Sequence, residues 1–319
     1  MGLASTKQMV SGSEESPQSN KFTVVTYNTF LRPHIVQNDA QQQRAHRIPL
    51  ALSQFKADVL CLQECWSKFA VRQLIKSFQR LGYSHIVKTK KVKAFSFLHA
   101  GLMTCSRYPI VEVEFVPFDT CSGTDCLATK GFLYSQIAHP TLGRVHVFNI
   151  HLQFVTASKI TSNDAEKMHI QAQQLGKWQH FVKARVFPEH ELVVLAGDWN
   201  FDSVNNESEF NALLSKLQVS LPKLNGSQKV SVDAGNNNLV GRGNEARKYG
   251  CVSVLYTGEN CACCPSRWVD FVMYSQTHLQ PTQAVCQIQP LQVSPFTTRW
   301  TNDCTQLSDH YPVISTFTF

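Results

Sequence analysis

The chain is expected to adopt an α/β fold in which two mixed β-sheets pack face to face and helices cover both outer surfaces. Three observations carry that expectation. Short apolar runs of strand character recur along the whole of the 319 residues. Segments of helical period fall outside those runs in both halves of the chain. Six polar islands each stand where an apolar run ends. Composition permits a core of the required size, since 43% of residues are hydrophobic and 17% charged, ordinary proportions for a globular chain.

Residues 1–20 (MGLASTKQMVSGSEESPQSN) lack apolar periodicity and cannot offset the entropy of ordering, so they read as a disordered tail ahead of one domain over residues 21–319. Phe22–Tyr27 and Val59–Gln63 read as buried strands, and between them lies a helix at about Arg44–Phe55 that Pro49 is expected to shorten or kink. After Glu64 comes a helix with Ser67 as N-cap, an apolar face of Val71, Leu74, Ile75, Phe78 and Leu81, and Gly82 where a left-handed residue ends it. Strands follow at Tyr83–Lys88, Gly101–Ser106, Val111–Phe118 with Val111, Val113 and Phe115 alternating, Gly131–Ala138 and Arg144–His151. A helix at about Glu166–Val186, with Met168, Ala172, Leu175, Trp178 and Val182 at helical spacing, leads into the apolar strand Leu192–Ala196 and then the helix Ser208–Leu217. Residues Asn225–Asn260 are rich in Asn and Gly and read as loops and short hairpins, before terminal strands at Trp268–Tyr274, Ala284–Ile288 and Val313–Phe319.

The islands carry the chemistry. They are TYNTF with Asn28, CLQEC with Glu64, NIHLQ with His151, GDWN with Asp198 and Asn200, WVDFV with Asp270, and SDHYP with Asp309 and His310. A single strand-end carboxylate at Glu64 suits Mg²⁺, which keeps much of its hydration, with Mn²⁺ able to substitute. Asn28 offers an amide beside that cation. Asp198 and Asn200, two apart in an extended segment, are expected to emerge on one face, one fixing a water or a metal and the other donating to a phosphoryl oxygen. His310 can take a proton near neutral pH, and Asp270 is the carboxylate expected to hold its other ring nitrogen. His151 is placed to stabilise charge on a phosphate, and Asp309 to shape its turn, orient its neighbours and join the metal ligands. A surface glutamate, a turn asparagine and structural histidines are the ordinary alternatives, and with twelve histidines in the chain most are structural. The combination is the equipment for breaking a phosphate ester.

In this order the motifs resemble those of the endonuclease/exonuclease/phosphatase superfamily, the Mg²⁺-dependent phosphoesterases related to pancreatic deoxyribonuclease, over about residues 22–319. GDWN with the closing SDHYPV is the specific part; TYN or LQE alone would be weak. The resemblance implies a deoxyribonuclease I-like, four-layer α/β/β/α sandwich. Three details resemble the neutral sphingomyelinase branch: Gln153 two residues after His151, Asp125 five residues before Lys130 with Gly131 following, and SRYPI at Ser106–Ile110. This branch implies a phospholipase C-type phosphodiesterase domain that releases ceramide and phosphocholine from sphingomyelin or a related choline phospholipid by water attack on phosphorus. It also implies an Asp125/Lys130 contact that brings the catalytic residues into register, placed by this reading on an exposed loop where it adds little stability. The alternatives are an inositol-polyphosphate 5-phosphatase, to whose Pro-x-Trp-Cys-Asp-Arg stretch PSRWVDFVMY is loosely similar, a DNA or RNA nuclease, and a catalytically silent binding module on the same fold.

A formal charge of +7 suits an acidic partner, nucleic acid or anionic membrane alike. No series of aromatic and arginine residues is evident to grip a nucleic acid, so none is expected as partner. Lys90, Lys91 and Lys93 with Phe95 and Phe97 make a mixture suited to an anionic lipid surface, against the plain reading of a solvated loop. MGLAST fits the N-myristoylation pattern at Gly2, an anchor that needs a second contact to hold. No run approaches the roughly twenty apolar residues of a membrane span, and no signal-peptide apolar region is present. Eleven cysteines, an odd number, favour reduced thiols. The chain therefore reads as a cytoplasmic monomer, peripherally associated with membranes. The alternative is a secreted protein, in which Cys121 and Cys126 would bridge. Cys261, Cys263 and Cys264 fit no standard zinc spacing.

Overall fold

The computed structural model describes residues 20–33, 40–91, 97–155, 162–237, 239–240, 266–297 and 304–319. Gly2, Lys93, Phe95, Cys261, Cys263 and Cys264 lie outside the described residues, as do nearly all of the N-terminal twenty and much of Asn225–Asn260. In chain order the elements are β1 (Lys21–Leu31), α1 (Gln41–Ser53), β2 (Val59–Cys65), α2 (Lys68–Arg80), β3 (His85–Lys88), β4 (Met103–Ser106), β5 (Ile110–Pro117), a 3-10 turn (Gly123–Leu127), β6 (Gly131–His139) and β7 (Gly143–His151). There follow α3 (Ser162–Arg185), β8 (Leu192–Asp198), α4 (Glu207–Leu217), β9 (Val219–Ser220), β10 (Lys223–Leu224), β11 (Asp270–Ser275), β12 (Gln283–Ile288), β13 (Gln292–Phe296), β14 (Cys304–Gln306) and β15 (Val313–Thr318).

The strands form a seven-stranded sheet, β10-β12-β15-β1-β2-β4-β3, and a six-stranded sheet, β5-β6-β7-β8-β11-β9, with β13 and β14 as a separate pair. Both large sheets are mixed. Between them lies an apolar layer of Val24, Val59, Cys61, Val145, Val147, Leu192, Val194, Ala196, Val272 and Phe317. The intervening residues face outward onto helices. Val25, Tyr27, Leu60 and Leu62 pack on Ala45, Ile48 and Leu52 of α1 and on Leu74 and Phe78 of α2. Phe148, Ile150, Val193, Leu195 and Phe271 pack on Leu175 and Trp178 of α3 and on Phe210 of α4. Central strands buried on both faces need apolar side chains in both rows, which is why they read as continuous apolar runs. The expected four-layer sandwich is thus the observed one.

Several local expectations change. The alternating Val111 and Val113 are 57% and 45% exposed; β5 is an edge strand, and Glu112 and Glu114 pair with Arg185 of α3. Alternation separates the two faces of a strand without saying which one is covered. Pro49 sits inside α1 without ending it. Ser67 occupies the N-cap of α2 but makes no side-chain cap, its N–H donating instead to Leu31 O at 2.8 Å. Gly82 does take the left-handed conformation, at φ 89°. The short strands β9, β10, β13 and β14, of two to five residues, are too brief to show a period.

At Gly197 a Cβ would lie 2.0 Å from Ile150 O, so the close approach of β7 and β8 requires glycine there. Overpacking of this kind costs about 1–3 kcal/mol, and larger domains lose roughly 2–4 °C per kcal/mol. Gly197→Ala is therefore expected to lower the calorimetric Tm by at least about 2 °C. A variant melting with the wild type would show that the two strands can part without cost.

Candidate active site

The apolar layer between the sheets runs out into the polar islands. The inward row of β1 continues Val24, Thr26, Asn28; that of β7 continues Val145, Val147, Asn149, His151; that of β8 continues Leu192, Val194, Ala196, Asp198. Strand period two makes each functional residue the end member of a core row. Parallel pairing of β7 with β8 sets His151 beside Asp198, and antiparallel pairing of β11 with β8 sets Asp270 opposite it. In the facing sheet, parallel β1 and β2 set Asn28 beside Gln63, and His310 stands in the turn before β15.

Glu64 is out of phase with this scheme. Ideal alternation would send it with Leu60 and Leu62 toward the helices, but its φ of 55° is left-handed and its carboxylate accepts from Asn28 Nδ2 at 3.2 Å. A glutamate in that region is unusual and marks a functional position. Asn28 Nδ2 also donates to Asp198 Oδ2 at 2.9 Å, while Asn28 Oδ1 accepts from Phe30 N–H at 3.0 Å. Asn28 therefore presents its nitrogen to two carboxylates and its oxygen to the backbone.

His310 Nδ1 lies 2.7 Å from Asp270 Oδ2, and its Nε2 faces Asp198 Oδ2 at 3.9 Å and Asp309 Oδ1 at 4.0 Å. Burial alone disfavours the imidazolium, but Asp270 and Asp309, with Asp198 behind them, outweigh it and push the pKa up to about 10. His151 Nε2 is 3.5 Å from Asp198 Oδ2, and its ring lies tilted against Trp66. Burial, followed by the Asp309 carboxylate, pushes Glu64 up to about 7. A buried carboxylate raised by a second carboxylate is a donor set suited to a hard divalent cation. Asp198, Asp270 and His310 also bring ligand atoms within 4.8 Å of one another, the one such group of three found among the described residues.

Asn200 reaches the site by a different route from the extended one expected. Its φ is 51°; its N–H donates to Asp198 Oδ1 at 2.9 Å and its Nδ2 to Leu152 O at 3.1 Å. Lys130 Nζ donates to Asp125 Oδ2 and to Leu152 O, each at 2.8 Å. Asp125 Oδ2 accepts in addition from Phe154 N–H at 2.7 Å. The Lys130 side chain is only 5% exposed and is buried against the segment after His151, which corrects its placement on an exposed loop, while Asp125 stays partly exposed. Cys121 and Cys126 form a disulfide that brackets Asp125, whereas Cys61, Cys65, Cys105 and Cys286 are free. The reduced reading therefore fails for the one pair tied above to the secreted alternative.

Glu64, Asp125, Lys130, His151, Asp198, Asn200, Asp309 and His310 line one cleft of about 500 Å³, and Asn28 and Asp270 are bonded to its lining residues from behind. Arg32, Trp66, Phe154 and Arg267 line it too, and none was singled out as a site residue. Trp66, directly after the CLQEC island, Phe154, directly after NIHLQ, and Arg267, directly before WVDFV, carried a positional hint. Leu98, which also lines the cleft, bridges to Ala128. Its neighbour Phe97 is 76% exposed, and Lys90 and Lys91 are exposed close by in sequence.

The sequence profile of the Endonuclease/Exonuclease/phosphatase family matches residues 25–310. A sphingomyelinase C of Bacillus cereus is 27% identical, over 96% of this chain and 92% of its own length. A sphingomyelin phosphodiesterase 5 of Danio rerio is 28% identical over 63% of this chain and 40% of its own. Among solved structures, sphingomyelinase C of Streptomyces griseocarneus superposes with a TM-score of 0.78 at 26% identity, covering 93% of this chain and 99% of that one. A beta toxin variant of Staphylococcus aureus with bound magnesium ions shares the fold, with a TM-score of 0.77 at 21% identity over 94% of this chain and 100% of its own.

The His310–Asp270 pair makes stability depend on pH. Because the folded pKa of His310, about 10, exceeds the unfolded value of about 6.5, its contribution is complete below pH 6.5 and is lost as pH rises through 10. In the presence of a chelator, the Tm difference between wild type and Asp270→Asn is expected to shrink steadily across that window in calorimetry. A constant difference would show that Asp270 does not hold His310 protonated.

Proposed function

The chain belongs to the Endonuclease/Exonuclease/phosphatase family, and we propose that within it the protein is a metal-dependent sphingomyelin phosphodiesterase, releasing ceramide and phosphocholine at a membrane surface. One observation carries the reading: His310, Glu64 and Asp198 line a single cleft, with Asp270 bonded to His310 and Asn28 to both Glu64 and Asp198 behind it. The Lys130–Asp125 pair beside it, and relatives named as sphingomyelinases over nearly the whole chain, support the substrate class.

Glu64, with Asp309, would hold Mg²⁺, the cation bound in one structural neighbour. When bound, the cation supplies positive charge that polarises the phosphate and opposes the carboxylates' pull on the His310 proton. Asp198 and His310 Nε2 face one another at 3.9 Å, close enough to share a water. In that position His310 takes the proton as the water oxygen bonds to phosphorus, and Asp270 stabilises the resulting imidazolium through Nδ1. The bond from phosphorus to the ceramide oxygen breaks, that oxygen leaves as a hydroxyl with a proton from solvent, and His310 returns the water's proton to solvent, so the step balances. His151 offsets charge on the phosphoryl oxygens in a site that excludes much of the water.

Phe97, Lys90 and Lys91 would rest on the lipid surface beside the cleft. No helix among the described residues is long and apolar enough to cross a membrane. The Cys121–Cys126 bridge favours an oxidising compartment.

The decisive assay measures choline phosphate released from sphingomyelin vesicles, beside inositol phosphates and abasic DNA as competing substrates. Glu64→Gln is expected to lose at least about 10²-fold in turnover, and excess chelator to abolish activity until Mg²⁺ or Mn²⁺ is restored. Full turnover in chelator would remove the cation from the mechanism, and preference for either competing substrate would move the protein elsewhere in the family. Lys130→Ala is expected to lose sphingomyelin hydrolysis severely. Because Lys130 is buried, the substitution is also expected to lower the Tm, while Asp125, partly exposed and still bonded to Phe154 N–H, keeps a partner. Unchanged hydrolysis would release the pair from its role in substrate choice.

A further inference from the structure

Gln171, on α3, is a buried polar side chain that touches the site from behind and has no part in the reaction as described. It is 2% exposed. Its Nε2 lies 2.7 Å from Gln153 O, 3.0 Å from Asn200 O and 3.2 Å from Trp199 O. An amide nitrogen has two hydrogens, so the three carbonyls share them in at least one three-centre arrangement.

Those carbonyls belong to the two segments that leave β7 and β8. Gln153 follows His151 by two residues, and Trp199 stands between Asp198 and Asn200. The segments already run side by side, with Leu152 N–H donating to Asp198 O at 3.0 Å and Asn200 Nδ2 to Leu152 O at 3.1 Å. Gln171 closes the arrangement from the helix side. It also grips Asn200 in its left-handed conformation, φ 51°, which an L-residue keeps only where its surroundings over-determine it. Asp198 Oδ1 takes the N–H of that residue and Gln171 takes its carbonyl, so both ends of the strained peptide are held. One turn along α3, Gln174 accepts from Gln153 N–H at 2.9 Å and donates to Thr120 O at 3.0 Å. That bond fixes the first segment alone. Gln171 ties the two together from the helix.

We propose that Gln171 is a positioning residue of the phosphodiesterase reaction: by donating to carbonyls on both segments it sets the spacing between His151 and the Asp198–Asn200 turn without touching substrate. The proposal rests on the functional reading above. Gln171→Met keeps the length of the side chain and removes the donor. Its kcat on sphingomyelin is expected to fall about 10²-fold, as small misplacements of catalytic groups do, with KM within about twofold of wild type.

The control is Val182→Ala, on the same helix and packed against the same core, which is expected to lower Tm while leaving kcat unchanged. Hydrogen exchange supplies a readout independent of turnover: residues 150–154 and 198–201 should exchange faster in Gln171→Met and not in Val182→Ala. If Gln171→Met loses no more kcat than Val182→Ala, or KM rises in proportion as kcat falls, the proposal is overturned. If the wild type does not cleave sphingomyelin, the functional reading fails first, and unchanged exchange in Gln171→Met would then overturn the proposal separately.

Discussion

Two hydrogen bonds join the mouths of sheets that share no strand pairing, and the site exists because of them. Asn28 of the seven-stranded sheet donates to Asp198 of the six-stranded one, and His310, from the turn before β15, meets Asp270 of β11. Neither bond can form unless the sheets are held at a set distance, and that distance is imposed by the apolar layer whose rows end in these residues. Burial strengthens such bonds and makes an unmet partner costly. The core and the site are therefore one construction: packing sets the spacing, and the polar ends penalise any other spacing. Gln63 Nε2 donating to Asn149 Oδ1 at 2.8 Å, one layer deeper, continues the same logic across the gap between the sheets.

Strain gathers at the same mouth. Phe30, Glu64 and Asn200 hold positive φ without being glycine, and each follows or ends a strand that enters the site. A strand that merely continued would point Glu64 at the helices; the left-handed residue turns it into the cleft. Such conformations persist only where neighbours hold them. Arg44 of α1, fully buried, donates to the carbonyls of Thr29, Phe30 and Leu307, and so binds the end of β1 to the segment that leads to His310. Gln171 does the corresponding work in the other half. Each outer helix layer thus sends one buried donor through to the site.

The electrostatics follow from crowding. Glu64, Asp198, Asp270 and Asp309 share a small volume with two histidines, so His310 is pulled toward its charged form and Glu64 away from it. A site with this balance favours added positive charge, which is the physical basis for reading it as a divalent-cation centre. Lys130 brings one cation near, but its bonds to Asp125 and Leu152 O hold it at the wall.

The six islands, the two-sheet fold and the helices were legible in the sequence because they depend on local rules. Buried strands must be apolar, amphipathic helices repeat every three to four residues, and phosphate chemistry restricts which side chains can stand at strand ends. Asn28, Glu64, His151, Asp198, Asp270 and His310 could therefore be named as a set without knowing their distances. Only the tertiary structure decided how they meet: that Asn28 turns its nitrogen rather than its oxygen to the carboxylates, that Lys130 is buried, that Val111 and Val113 face solvent, and that Gln171 and Arg44 hold the loops from behind. Each of these depends on residues far apart in the chain arriving at one place, and no local period or propensity encodes that arrival.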